Sequence, residues 1–347
     1  MSEENLEGES LVACRAMLGQ GSLTFALAAR FLPRRLSDSA TALYAFCRVA
    51  DDAVDRPDGD PREALADLHR RLDAIYAGTP RAHPADRAFA ALVARESIPK
   101  ALPLALIEGF EWDVIGRRYA EIGDLEEYAA RVAGTVGAMM ALLLDVRDPQ
   151  VVAAACDLGI GMQLTNIARD VGEDARNGRL YLPAKWLIEV GIDPQQWLDA
   201  PTFSPALGSV IERLLAHAEP FYRSGAAGIR HLPWQVRPGM EAARVLYFEI
   251  GEALRRRQLD SVGQRTVVDS RRKLWLAVRA TGALFVPFRD LRADPVPATR
   301  FVVDAAEPAF AIPGRAAQGR IERVLEIFAS LEERDHARAA LRAHTSR

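Results

Sequence analysis

An all-α fold, one large helical bundle, is what this sequence predicts, on three observations. Long stretches rich in Ala, Leu, Arg and Glu carry apolar residues that recur at three and four positions, the period of a helix with one buried face. Alternating β-branched runs are few, and none makes a convincing strand. Clusters of Pro and Gly at 56–61, 77–87, 193–205 and 231–239 end the helical stretches as turns within one body. At 347 residues, with 49% apolar and 26% charged content, the chain is long enough to bury a sizeable core.

Taken in chain order, the segments read as follows. "MSEENLEGES" is acidic and polar, unlike a signal or transit peptide. "ALYAFCRVADDAVD", from Ala42 to Asp55, is a helix with Phe46, Val49, Ala50, Ala53 and Val54 on apolar faces. "VAGTVGAMMALLLDV" is too short to span a membrane and reads as a core helix. "DPQVVAAACDLG" marks a helix start, with Asp148 as cap and Pro149 as first helical residue. "KLWLAVRATGALFVPF" is interrupted by Arg279 and reads as core, with shallow membrane contact as the alternative. After about residue 286 the chain turns Pro-rich and aperiodic, until Ile321, Val324, Leu325, Phe328 and Leu331 mark one last amphipathic helix. The expected division is therefore a helical domain over 1–290 and a docking tail over 291–347.

Composition limits the function classes. A formal charge of −3 gives no basic field for nucleic acid, although Arg supplies nearly all the positive charge and is suited to bidentate phosphate contacts. Cys14, Cys47 and Cys156 are odd in number and lack metal-type spacing, which points to a reducing compartment, the cytoplasm. The six His residues form no HExxH pair, and no G-x-G-x-x-G follows a strand, so nothing points to a zinc or nicotinamide site.

Two acidic segments carry the chemistry. Asp51 and Asp55 lie four apart, one turn above the other on a helix, with Arg48 and Tyr44 continuing that face. In "QLTNIARDVGEDARNGRLYLP", Gln163, Asn166, Asp170 and Asp174 step by three, four and four into one polar stripe, flanked by Leu164, Ile167, Ala168 and Val171. Glu173 falls off the stripe, as a surface or supporting acid. A polar stripe with apolar flanks suits a helix that lines a cavity in a bundle. Mg²⁺, or Mn²⁺ in its place, suits such carboxylates, since it prefers oxygen ligands and bridges carboxylates to substrate phosphates. The alternative is a set of ordinary ion pairs, Asp51 with Arg48 and Asp170 with Arg169. Two such pairs, each on a mostly apolar helix and each accompanied by Arg, favour the metal reading.

"LYAFCRVADDAVD" and "QLTNIARDVGEDARNGRLYLP" resemble the two signatures of the squalene/phytoene synthase family, and "GSLTFALAARFLP" resembles its N-terminal segment. The likeness extends over roughly residues 10–290, through "EEYAARVAGTVG", "AARVLYFEIGE" and "QRTVVDSRRKLWL", and is greatest to the branch found in carotenoid-making proteobacteria. It implies the isoprenoid synthase fold, with two DxxxD helices facing each other across a central apolar cavity. It implies that Asp51, Asp55, Asp170 and Asp174 hold Mg²⁺ against diphosphate, and that Ser22, Arg48, Arg179 and Arg265 contact phosphate oxygens. Tyr44, Gln163, Asn166 and Tyr247 would line the site, with Arg169 as a further candidate. Two positions depart from the pattern: Thr24 stands for a more usual Ser, and Ala130 for a Tyr, with Tyr128 close by. The implied activity joins two geranylgeranyl diphosphates head to head into phytoene, without NADPH. The same chemistry on farnesyl diphosphate, and a non-catalytic relative, are the alternatives. Prenyl diphosphates would be the partners, with peripheral contact to the inner membrane.

Overall fold

The computed structural model describes residues 3–21, 23–54, 60–280, 290–292 and 294–311. Ser22, Asp55, the Thr24 side chain and the helix expected near 321–331 lie outside them. The described residues hold fifteen α-helices and no strand. In order they are α1 (Glu3–Gly21), α2 (Leu23–Ala29), α3 (Arg34–Val54), α4 (Pro61–Tyr76), α5 (Pro84–Glu96), α6 (Ala101–Val114), α7 (Ile122–Ala129) and α8 (Thr135–Leu143). They continue with α9 (Pro149–Arg176), α10 (Ala184–Glu189), α11 (Pro194–Asp199), α12 (Pro205–His231), α13 (Arg237–Arg256), α14 (Ser270–Ala280) and α15 (Arg300–Phe310).

The 28-residue α9 is the hub, packed against α7, α8, α12, α13 and α15. By length and composition alone it could cross a bilayer, yet it is mostly buried inside the bundle, as a core helix is. Asp148 caps it as expected, its Oδ1 accepting from Gln150 N at 2.8 Å with Pro149 in the first helical position. Between α7 and α8 the chain makes a π turn, Ala130–Gly134. There α9 comes so close that a Cβ on Gly159 would lie 2.3 Å from the Ala133 carbonyl oxygen, so only glycine fits. On the other side, α3 packs on α1, α4 and α5, with Phe46 and Phe89 stacked at 4.0 Å in the core.

The expected breaks fall between helices, except that Pro194–Asp199 forms the short α11, capped by Asp193. A larger correction concerns the tail. Within the stretch expected to be aperiodic, Arg300–Phe310 is helical and seats Val302, Val303, Ala306 and Ala309 in the core against α6, α8 and α9. The period of three and four is present, but Pro295 and Pro297 before it and Pro308 in its last turns hide it.

Candidate active site

A large cavity runs between the two sides of the bundle, with about 1480 Å³ of empty space, its open mouth included. Val132, Ala133, Val136, Gly137, Met140 and Ala141 of the π turn and α8 form part of its wall. Other parts come from α2, α3, α9, α12 and α13. Among the described residues that line it none is charged. Its polar groups are the amides of Gln163 and Asn166 and the hydroxyls of Tyr44 and Tyr247.

These four mark one end, and from there both acidic helices run on into charge. On α9, Asp170 follows Asn166 by one turn and Asp174 by two, about 6 and 12 Å along the axis. On α3, Asp51 follows Cys47, a cavity residue, by one turn. Both acid sets occupy the C-terminal ends of their helices, where the helix dipole already favours cations. Ring contacts join the walls: Phe25 lies 6.1 Å from Tyr44 and 5.2 Å from Tyr247, centroid to centroid.

Asp170 is held by two guanidiniums. Arg169 Nε donates to its Oδ1 at 2.8 Å and Nη2 to its Oδ2, while Arg265 Nε reaches Oδ1 at 2.8 Å from the loop before α14. Arg265 also lies 3.4 Å from the exposed Glu173, off the stripe as read from spacing. That loop is fixed to α9 where Gly172 N donates to Ser261 O at 3.1 Å. Arg48 pairs more closely with Asp52, Nη2 to Oδ1 at 2.7 Å, than with Asp51 at 3.8 Å. Ion pairs of the bland kind are thus present, though Arg48 prefers the acid outside the DxxxD spacing.

Asp174 differs in kind. Burial, with the charge of Asp170 next, pushes its carboxyl up to about 8, against a smaller pull from Arg179. Burial likewise pushes Tyr247 up to about 12, opposed by Arg169 and by the Asn166 amide. Tyr44 is raised by burial, with Arg48 pulling it back. Asn166 Nδ2 faces Gln163 Oε1 at 3.5 Å, and Asn166 Oδ1 is buried without a hydrogen-bond partner.

Asp113 is a neighbour that spacing does not reveal. It stands at the end of α6 and accepts from Tyr128 Oη at 2.8 Å and Tyr181 Oη at 2.7 Å, and its charge adds to the rise at Asp174. The sequence gives it no distinguishing signal: Asp113 is one of three acids in "ALPLALIEGFEWDV", with Glu108 and Glu111, and no two of them stand four apart. Tyr128 is thus engaged with Asp113, while Ala130, at the position of the more usual Tyr, is fully buried in the π turn.

Tyr44, Gln163, Asn166 and Tyr247 line the cavity, and further along α9 Asp170 is paired with Arg169 and Arg265 while Asp174 feels the charges of Asp170 and Arg179. Arg48 and Asp51 stand in the last turns of α3, beyond the cavity residues Tyr44 and Cys47. Among the described residues no three His, Cys, Asp or Glu side chains sit close enough to hold a metal ion together. The donor set nonetheless fits a hard cation: the carboxyl oxygens of Asp170 and Asp174 and the orphaned amide oxygen of Asn166 are all hard oxygen donors.

A family model described as "Squalene/phytoene synthase" matches residues 18–274. The chain is 46% identical over 339 residues to "Phytoene synthase" of Cereibacter sphaeroides, covering 94% of each protein. It is 46% identical over 334 residues to "Phytoene synthase" of Rhodobacter capsulatus, covering 94% of this chain and 97% of the relative. Among solved structures, a dehydrosqualene synthase in complex with ligand superposes with a TM-score of 0.74 at 28% identity, covering 82% of this chain and 99% of that one. Squalene synthase HpnC from Alicyclobacillus acidocaldarius gives a TM-score of 0.66 at 24% identity, covering 72% and 94%.

Proposed function

The chain belongs to the squalene/phytoene synthase family, and from that premise we propose that it is a prenyltransferase of the phytoene synthase type, joining two geranylgeranyl diphosphates head to head. The observation that carries this reading is 46% identity over 94% of the chain to relatives named phytoene synthase. An apolar cavity that ends in hydroxyls, amides and then acids supports it.

In this reading the two acidic helices, α3 and α9, face each other across the diphosphate end of the cavity. Bound Mg²⁺, or Mn²⁺, supplies Lewis-acid stabilisation of the charge on departing diphosphate, and Asp51, Asp55, Asp170 and Asp174 are the residues that would hold it. Arg48, Arg179, Arg265 and the Ser22 hydroxyl contact the phosphate oxygens, and Arg169 keeps Asp170 in place. Breaking the allylic C–O bond leaves a carbocation on one chain. The double bond of the second substrate attacks it, and loss of a proton gives a cyclopropylcarbinyl diphosphate. A second ionisation, rearrangement and proton loss yield phytoene, with diphosphate as proton acceptor and no reductant required. The apolar wall keeps out water that would quench each cation, and the ring faces of Phe25, Tyr44 and Tyr247 stabilise positive charge near the polar end.

We assign this chemistry to residues 1–290, with α15 as a brace on the outside of the bundle. Substrate and product are lipids, so the protein works in the cytoplasm in peripheral contact with the inner membrane. The likeness to a dehydrosqualene synthase structure makes the C15 substrate the rival. Incubating purified protein with Mg²⁺ and either the C20 or the C15 diphosphate, with and without NADPH, and weighing the hydrocarbon by mass spectrometry tests the reading. A C40 product without NADPH is expected, and C30 alone would overturn it.

A further inference from the structure

α14 is a half-buried helix whose outer face is the wrong one for water. It docks on α2 and α13 through Leu276, Ala277 and Ala280, against Leu27, Phe31, Ala242 and Val245. The opposite face carries Leu274, Trp275 and Val278, exposed by 59%, 49% and 59%, at the one-turn spacings of a single stripe. Val267, in the loop before the helix, is more exposed still. The cations Arg271, Arg272 and Arg279 border that stripe, Lys273 falls on the docking side, and α14 contains no Asp or Glu. Arg272 is tied to Glu249 of α13 at 3.0 Å, and the guanidiniums of Arg272 and Arg279 lie 4.7 and 5.3 Å from the Trp275 ring centroid. The indole is thereby presented outward between two positive charges, in a chain whose net charge is −3.

We infer that this face of α14 is a docking surface for an anionic lipid bilayer, which deepens the membrane contact proposed above. Bulky apolar side chains bordered by guanidiniums match the acyl boundary and the charged headgroups of such a surface. A second protein would have to cover both the indole and the cations with an acidic apolar surface, whereas a bilayer supplies both components at once. The location is consistent with it. Phe25, Ala28 and Ala29 of α2 and Gly239, Met240, Ala243 and Tyr247 of α13 face the cavity, while the other sides of these helices carry α14. The lipid face is therefore one helix layer from the space where prenyl chains would lie.

The test needs no turnover and so fails independently of the proposed reaction. The full chain is floated with vesicles of phosphatidylglycerol and phosphatidylcholine, with phosphatidylcholine alone, and with the mixed vesicles at high salt. Binding to the mixed vesicles is expected, weakened by salt and by removal of the anionic lipid. Leu274→Glu with Trp275→Glu and Val278→Glu should lower the bound fraction roughly tenfold or more, and so should Arg271→Glu with Arg279→Glu. Trp275→Ala, the mildest change, should weaken binding while leaving the unfolding midpoint in place. Absence of binding by the unaltered chain, or binding unchanged in all three variants, would overturn the inference. So would a dimer in sedimentation that the triple variant dissolves without any effect on vesicles, because a second copy would then be the occupant.

Discussion

Replacing Asp174 by Asn should stabilise the metal-free protein while ending turnover, and the size of the gain should depend on pH. In the unfolded chain the carboxyl loses its proton near 3.8, whereas in the fold burial and Asp170 hold it up to about 8. Between these values the fold binds more protons than the unfolded chain, so this group's contribution falls as pH rises, by about 1.4 kcal/mol per pH unit. It is fully present below pH 3.8 and lost by the time pH passes 8. For a sealed site the window is worth about 6 kcal/mol, and with water entering by the mouth of the cavity about half of that. Asn has the same shape and no proton to lose. Its advantage in urea unfolding with EDTA present should grow from about 1 kcal/mol at pH 5 to about 3 at pH 9. Millimolar Mg²⁺ should then close the gap by stabilising the parent protein and not the variant. An advantage that stayed flat between pH 5 and 9 would show that Asp174 is not desolvated, and the case for a cation at this carboxylate would lose its electrostatic basis.

Other outcomes follow from single residues. A Cβ at Gly172 would lie 2.5 Å from both Cα and O of Val262, so Gly172→Ala should displace the loop that brings Arg265 to Asp170. Steady-state kinetics should show kcat/KM lower by roughly tenfold or more, a loss of about 1.4 kcal/mol in transition-state binding. Phe46→Ala, which empties one side of the stack on Phe89, should cost about 3–5 kcal/mol in urea unfolding. Asp148→Ala removes the cap of α9 and should cost about 1 kcal/mol by the same measurement. Asp51→Asn and Asp170→Asn should each abolish the hydrocarbon product in the mass-spectrometric assay with little loss of stability, and normal product from both would refute the metal-site reading.

The sequence made most of the helical architecture legible because α9, α3 and α13 each carry a long run of one period and recognisable ends, such as Asp148 and Pro149. What it hid involves contacts between distant segments. Arg265 meets Asp170 across 95 residues, and Tyr181 meets Asp113 across 68, separations over which no local period operates. Asp113 is hidden for a second reason: it shares α6 with Glu108 and Glu111 at no DxxxD spacing, and only the hydroxyls that Tyr128 and Tyr181 bring to it set it apart from them. The helix α15 was obscured by prolines that act at its borders and last turns and do not break it. α14 reads as core, with shallow membrane contact as the alternative, and one face of it is buried, since a period of three and four does not say whether one face or two will be covered.

In the proposed reaction the placement of the acids would couple cation and substrate. Carboxylates at the C-terminal end of a helix are disfavoured by the dipole, by about 0.3–1 kcal/mol each at the surface. Two guanidiniums offset this at Asp170, whereas at Asp174 burial and the neighbouring Asp170 charge push the carboxyl up to about 8. Arg169 is mostly buried beside its partner, but Arg265 is half exposed on a loop and is the one that can leave. In the proposed reaction a divalent cation taking the Asp170 oxygens would compete with Arg265 and release its guanidinium at the mouth of the site. A freed guanidinium beside newly bound positive charge is a site for diphosphate, and diphosphate in turn removes the repulsion between them. Each ligand should therefore bind more tightly in the presence of the other, a coupling that follows from one carboxylate being claimed by both an arginine and a metal.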